Sequence, residues 1–210
     1  MKLIIATPSP FARKARVALR EKNIDFEEII DVPWNKNTLT KGINPLGKIP
    51  ILLHKNNKPL FDSRVIVQYL DKFKPHPLMY PESHEDNISA KLVEAVADGV
   101  CDAIVLICLE NARKESLMSK NWIERQENKI FEGVNYLSEY LQDNRYFVGE
   151  KFNISDVSSF ACLDYVDLRF PKLKWRNQYK NLKKFWDVNK DRKSFKETKP
   201  IVQTIDPIEY

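Results

Sequence analysis

The sequence predicts an α/β domain followed by an all-α domain, and three observations carry that reading. Residues 1–75 alternate short β-rich runs with amphipathic helical ones. The segment Lys74-Pro75-His76-Pro77-Leu78-Met79-Tyr80-Pro81 then places three prolines in seven residues, which no helix sustains. Beyond about residue 85 glycine is scarce and long amphipathic helical runs take over. The expected organisation is therefore an α/β domain over 1–75, a linker over 76–84 and a helical domain over 85–210.

Residues 2–6 form a first strand, and residues 10–22 a helix with Phe11, Ala15, Ala18 and Leu19 on a common side. Residues 26–30 alternate again as a second strand. A loop containing Pro33 and Trp34 leads into a short helical or irregular stretch ending near Gly42. Residues 50–53 and 59–61 read as two strands around the turn Lys55-Asn56-Asn57. Val65, Ile66, Tyr69 and Leu70 then mark an amphipathic helix over 62–73. The order βαβ, then ββα, is the thioredoxin-like arrangement. In the second domain helices are expected over about 86–115, 120–142, 154–170 and 179–189. The third of these opens on Asn153-Ile154-Ser155-Asp156, with Asn153 as N-cap, Asp156 at N3 and Phe152 and Val157 at the staple positions.

Composition narrows the function classes. The net charge of +5 comes from interleaved charges, as in Lys183-Lys184 against Asp187, so a nucleic-acid surface is not indicated. No apolar run approaches the roughly 18–20 residues that span a bilayer. The opening Met1-Lys2-Leu3-Ile4-Ile5-Ala6 reads as a strand rather than a signal peptide, and a cytoplasmic location is expected. Cys101, Cys108 and Cys162 lack metal-ligand spacing, and His54, His76 and His84 form no cluster, so no metal or redox cofactor is expected.

Three short segments at the edges of predicted elements carry the chemistry. Ser9 precedes Pro10 at a helix start, the pattern of an ordinary N-cap followed by proline at N1. A thiolate placed there meets a hydroxyl and the positive end of a helix, and both favour ionised sulfur. Asn44-Pro45-Leu46-Gly47-Lys48-Ile49-Pro50 ends on a proline that opens a strand. Asp62-Ser63 starts the next helix, where exposed N–H groups and the Ser63 hydroxyl suit a carboxylate and the Asp62 carboxylate suits an ammonium. Two caps are the plain alternative.

In this order the three segments resemble the glutathione S-transferase family, and the similarity extends through the 147–156 segment into the second domain. Ser9-Pro10-Phe11-Ala12-Arg13 resembles the start of the serine-type, theta-like members. It also resembles the Cys-Pro-Phe start of omega-like members with Ser replacing Cys, which speaks against mixed-disulfide chemistry. The resemblance implies glutathione as co-substrate, Ser9 as the catalytic residue, and a cis Ile49-Pro50 bond that presents Ile49 to the cysteinyl backbone as an added strand. It places Asp62 and Ser63 at the γ-glutamyl group, with Phe11, Lys36 and Lys48 completing the candidate glutathione site. Asn35 is similarly placed, and Arg13 is a candidate for steering the anion.

The resemblance further implies conjugation to a small hydrophobic electrophile, as in detoxification. Trp34, Phe11, Tyr165 and Trp175 are candidates for its pocket, with core burial as the alternative, and Cys101 and Cys108 suit core packing or a cleft wall. A homodimer is implied, in which Asp98 is a candidate for reaching the partner's glutathione or for a structural ion pair. Two other activities remain open. The 71–81 segment resembles the linker of stringent starvation protein A, a non-catalytic partner of RNA polymerase. The fold also serves glutathione-dependent isomerases and dehalogenases, although the Ser-Ser-Cys start of the zeta-type isomerases is absent.

Overall fold

Strand β1 (Lys2–Ile5) is the centre from which the first unit is built. It pairs in parallel with β2 (Glu27–Ile30) and antiparallel with β3 (Ile51–His54), which pairs antiparallel with β4 (Lys58–Leu60), so the sheet order is β2-β1-β3-β4. The computed structural model describes residues 1–55 and 58–203. Asn56 and Asn57 of the expected 55–57 turn lie outside the described residues.

The parallel β1–β2 pair needs a crossover, and α1 (Pro10–Glu21) supplies it. Helix α2 (Ser63–Phe73) follows β4 and packs beside α1. Leu3, Ile4, Ile5, Ile51 and Leu52 from the strands, and Ala15, Leu19, Ile66 and Leu70 from the helices, are all at most 1% exposed and form the core. The stretch between β2 and β3 contains turns but no helix. Asp31 and the turn around Thr40 organise it instead.

The described residues divide into two compact units: Met1–Tyr80 together with residues 192–203, and Pro81–Asp191. The expected linker, 76–84, straddles the first boundary, but its residues as far as Tyr80 are held down. Met79 and Tyr80 are buried and donate their N–H groups to Asp71 Oδ1 and Oδ2 at 2.9 and 2.8 Å. The C-terminal stretch, expected with the helical domain, packs with the first unit because α1 offers it a row of donors. Arg13 Nη2 donates to the Phe195 carbonyl at 3.2 Å and Arg16 Nη1 to the Thr198 carbonyl at 3.3 Å.

The second unit is helical. It contains α3 (His84–Asn111), α4 (Lys120–Leu141), α5 (Ile154–Arg169), α6 (Trp175–Gln178) and α7 (Lys180–Asn189). The short α8 (Lys193–Lys196) belongs to the first unit. Helix α3 packs against both α4 and α5. Gly133 allows α4 to approach closely, because a Cβ there would stand 2.3 Å from Val100 Cγ2. Helix α5 begins on the expected capping box. Asn153 Oδ1 accepts from Ser155 N–H at 3.0 Å and Asp156 Oδ2 accepts from Asn153 N–H at 2.9 Å.

Candidate functional site

Sheet topology gathers the three sequence-predicted segments at one end of the first unit. Because β1 and β3 are antiparallel, with Ile4 opposite Ile51, the end of β1 lies beside the start of β3. Leu60, at the end of β4, stands opposite Leu52. Ser9, Ile49-Pro50 and Asp62-Ser63 therefore leave the sheet at the same edge. The loop after β2 joins them, since Ile30 pairs with Ile5.

Ser9 is the N-cap of α1, and its Oγ accepts from Ala12 N–H at 3.1 Å. The Ser9 N–H donates to the Ala6 carbonyl at 3.0 Å, closing the turn that delivers the hydroxyl to the helix end. Phe11, in the first turn of α1, is half-buried. Asp62 caps α2, its Oδ1 accepting from Arg64 N–H at 2.8 Å and from the Ser63 hydroxyl at 3.2 Å. Ser63 is 2% exposed. Both serines thus have a capping or cap-supporting role in the protein itself.

The Ile49–Pro50 peptide is cis, Pro50 is buried and Ile49 is half-buried. Asn44 arranges the approach to it. This buried side chain accepts from Leu46 N–H at 3.0 Å and donates to the Lys48 carbonyl at 2.7 Å. Gly47 occupies the left-handed region at φ +59° within that turn, where a side chain would be strained. The Lys48 side chain is exposed. Lys36 is also exposed, on the loop after β2, where Asn35 N–H donates to the Val32 carbonyl at 3.0 Å.

Other sequence candidates fall elsewhere. Arg13 is 3% exposed, and its Nε donates to Thr198 Oγ1 at 3.3 Å, so it braces the C-terminal stretch rather than reaching outward. Trp175 is 1% exposed and donates from Nε1 to Asp167 Oδ1 at 2.8 Å, which makes it a core residue and not a pocket wall. Asp98 and Cys101 are buried residues of α3. Burial pushes the half-buried Cys108 thiol upward against the pull of Arg169. Burial also raises the Tyr165 hydroxyl, reinforced by the two cysteines and opposed by Arg169. Trp34 is 43% exposed on the loop after β2.

Sequence reasoning missed the residues that hold these loops. Asp31 Oδ2 accepts from Thr38 Oγ1 at 2.6 Å and from Thr40 N–H at 3.2 Å, and Asn44 N–H donates to the Thr40 carbonyl at 3.0 Å. The turn-forming character of Asn44 was the one legible signal. Among the described residues no group of three or more His, Cys, Asp or Glu is disposed to hold a metal ion, and no helix is long and apolar enough to cross a membrane.

Comparison with known proteins places this geometry. Residues 8–72 match the glutathione S-transferase N-terminal domain and residues 120–185 the glutathione S-transferase C-terminal domain. The uncharacterized GST-like protein YibF of Escherichia coli (strain K12) is 31% identical, over 95% of this chain and 98% of its own. A glutathione S-transferase from Methylobacterium radiotolerans, solved in complex with glutathione sulfonate, superposes at TM-score 0.95 with 38% identity, covering 98% of this chain and 97% of that one. Another from Methylobacillus flagellatus, with glutathione bound, gives TM-score 0.91 and 38% identity over 95% and 99% of the two chains. With both domains matched and the relatedness running along nearly the whole sequence, the chain belongs to the glutathione S-transferase family.

Proposed function

We propose that this protein conjugates glutathione to small hydrophobic electrophiles. The observation that carries the reading is its likeness, over almost its entire length, to a transferase whose structure holds glutathione sulfonate. Accepting from Ala12 uses a lone pair of Ser9 Oγ and leaves the O–H proton to be donated to sulfur. The N-terminus of α1 adds its positive end. A free thiol ionises near pH 8.5, so a depression of one or two units populates the thiolate at neutral pH.

In this reading the Ile49 backbone pairs with the cysteinyl residue. The Asp62 carboxylate and the N–H groups at the start of α2 take the γ-glutamyl ammonium and carboxylate, with Ser63 in support. Lys36 and Lys48 face the glycine carboxylate. Phe11 and Trp34 supply apolar surface near the sulfur. The thiolate attacks the electrophile, a C–S bond forms, the leaving group departs with its electron pair, and the thiol proton passes to solvent. No metal or redox cofactor takes part, and Ser9 cannot form the mixed disulfide that a cysteine would.

The protein is further proposed to be a homodimer with Asp98 directed to the partner's glutathione, and light scattering that shows a monomer would remove both claims. Cys101, Cys108 and Cys162 form no disulfide, which suits a reducing, cytoplasmic setting.

Calorimetry with glutathione on the parent, Ser63→Ala and Ser9→Ala tests the assignment. Binding lost in Ser63→Ala and kept in Ser9→Ala supports the site, with Ser9 acting on the thiolate. No binding by the parent at millimolar glutathione overturns the transferase reading and makes capture of RNA polymerase the next measurement.

A further inference from the structure

We infer that Gln203 is a positioning residue for the glutathione site, because its one amide group ties together the loop that carries Ser9 and the loop that carries Lys36. The inference deepens the transferase reading and rests on it. Gln203 Oε1 accepts from Thr7 N–H at 3.2 Å, and its Nε2 donates to the Asp31 carbonyl at 3.4 Å. Thr7 follows β1 and stands two residues before Ser9. Asp31 follows β2 and organises the turn through Thr38 and Thr40.

Thr7 is also held from a second direction. Its Oγ1 donates to the Ile201 carbonyl at 2.8 Å, and Ile201 N–H makes a longer bond of 3.5 Å to the Thr7 carbonyl. The stretch 199–203 therefore crosses the edge of the sheet at which the three site segments emerge. It has a fixed origin, because Arg13 and Arg16 of α1 bind the Phe195 and Thr198 carbonyls. The hydrophobic side chains do not account for this path, since Ile201 and Val202 are 64% and 63% exposed. Polar bonds to the two loops are what define it.

The connection continues through the site. Asp31 fixes Thr40, the Thr40 carbonyl accepts from Asn44 N–H, and the Asn44 side chain holds the Lys48 carbonyl just before Ile49. Gln203 thus supports Ser9 through Thr7 and the glycine-carboxylate and cysteinyl contacts through Asp31. It touches no reacting atom.

The two arms separate by substitution. Gln203→Ala removes both. Gln203→Glu keeps an acceptor for Thr7 N–H but has no donor for the Asp31 carbonyl. Three readouts apply: amide exchange at Thr7 and Thr40 in the ligand-free protein, glutathione affinity, and the pH midpoint of thiolate absorbance in the glutathione complex. Gln203→Ala should speed exchange at both amides, weaken binding about tenfold, the scale of one or two hydrogen bonds, and raise the thiolate midpoint. Gln203→Glu should keep Thr7 protection and the midpoint while still weakening binding.

Unchanged Thr7 exchange in Gln203→Ala overturns the inference, as does parental glutathione affinity and midpoint in that variant. If the parent itself binds no glutathione, the transferase reading falls, and the role assigned to Gln203 at a glutathione site falls with it. Amide exchange then still decides whether Gln203 braces the two loops.

Discussion

Lys22 and Asp71 form a buried ion pair between α1 and α2, with Nζ 2.8 Å from Oδ1 and the lysine side chain at 0% exposure. The ammonium also donates to the carbonyls of Lys74 and Pro77 at 2.8 and 2.6 Å. The carboxylate in turn receives the N–H groups of Met79 and Tyr80. One pair of charges therefore anchors the whole stretch that leaves the first unit.

Breaking such a pair from one side leaves a buried charge without its counter-charge. Lys22→Met should destabilise the protein by about 3–5 kcal/mol, read by chemical denaturation. Adding Asp71→Asn removes the stranded charge and retains an acceptor, so the double variant should recover part of the loss. Strict additivity of the two single effects would show that the residues do not act as a pair.

Asp156 makes a comparable use of one carboxylate in the second unit. Its side chain is 0% exposed, and its two oxygens accept from Phe147 and Asn153 N–H, each at 2.9 Å. A surface capping residue contributes about 1 kcal/mol. Here Asp156→Ala leaves two buried N–H groups without acceptors, and a loss of about 2–4 kcal/mol is expected. Asp156→Asn keeps one acceptor oxygen and should fall between. Thermal melts that coincide for parent and alanine variant would refute the assignment.

The capping box was legible because its cause is local: four consecutive residues hold the whole motif. The strands and α1, α2, α4 and α5 were legible for the same reason, through apolar spacing within each element. The role of α1's cations was not. Arg13 was a candidate for steering the anion, yet it and Arg16 are buried because residues 195–198, some 180 positions away, bring carbonyls onto them. Trp175 looked like a pocket candidate because an aromatic side chain carries no sign of its partner, and the partner is Asp167. At the site, the caps could be read from Ser9-Pro10 and Asp62-Ser63. The Thr7–Gln203 contact had no local signal at all.

The same long-range packing gives the first unit an acid dependence. Burial disfavours ionised Glu21, but hydrogen bonds from Arg192 and Ser194 and the charge of Arg192 outweigh it, so its pKa is lowered. Arg192 Nε and Nη2 lie 2.6 Å from the two carboxylate oxygens. The folded state therefore releases this proton more readily than the unfolded chain. Its stabilising contribution is fully present above the unfolded value, about 4.3 for a glutamate, and is lost as pH falls through the lower folded value. The stability difference between parent and Glu21→Gln should be largest near neutral pH and shrink below about pH 4. A pH-independent difference would assign the effect to packing alone.

The final prediction separates the two roles of Ser9. As a cap, its loss in Ser9→Ala should cost about 1 kcal/mol of stability at any pH. As a donor to glutathione sulfur, its loss should move the thiolate midpoint upward, because the O–H stabilises only the ionised form to full effect. Conjugation of an activated chloronitroaromatic at saturating glutathione should therefore fall at least about tenfold at pH 6.5 and recover toward the parent rate well above pH 8.5, where glutathione ionises unaided. Ser9→Gly, which retains much of the cap stability, should reproduce the pH shift with a smaller stability loss. A pH–rate profile lowered in parallel at every pH would leave Ser9 as a cap and move thiolate stabilisation to the helix N-terminus alone.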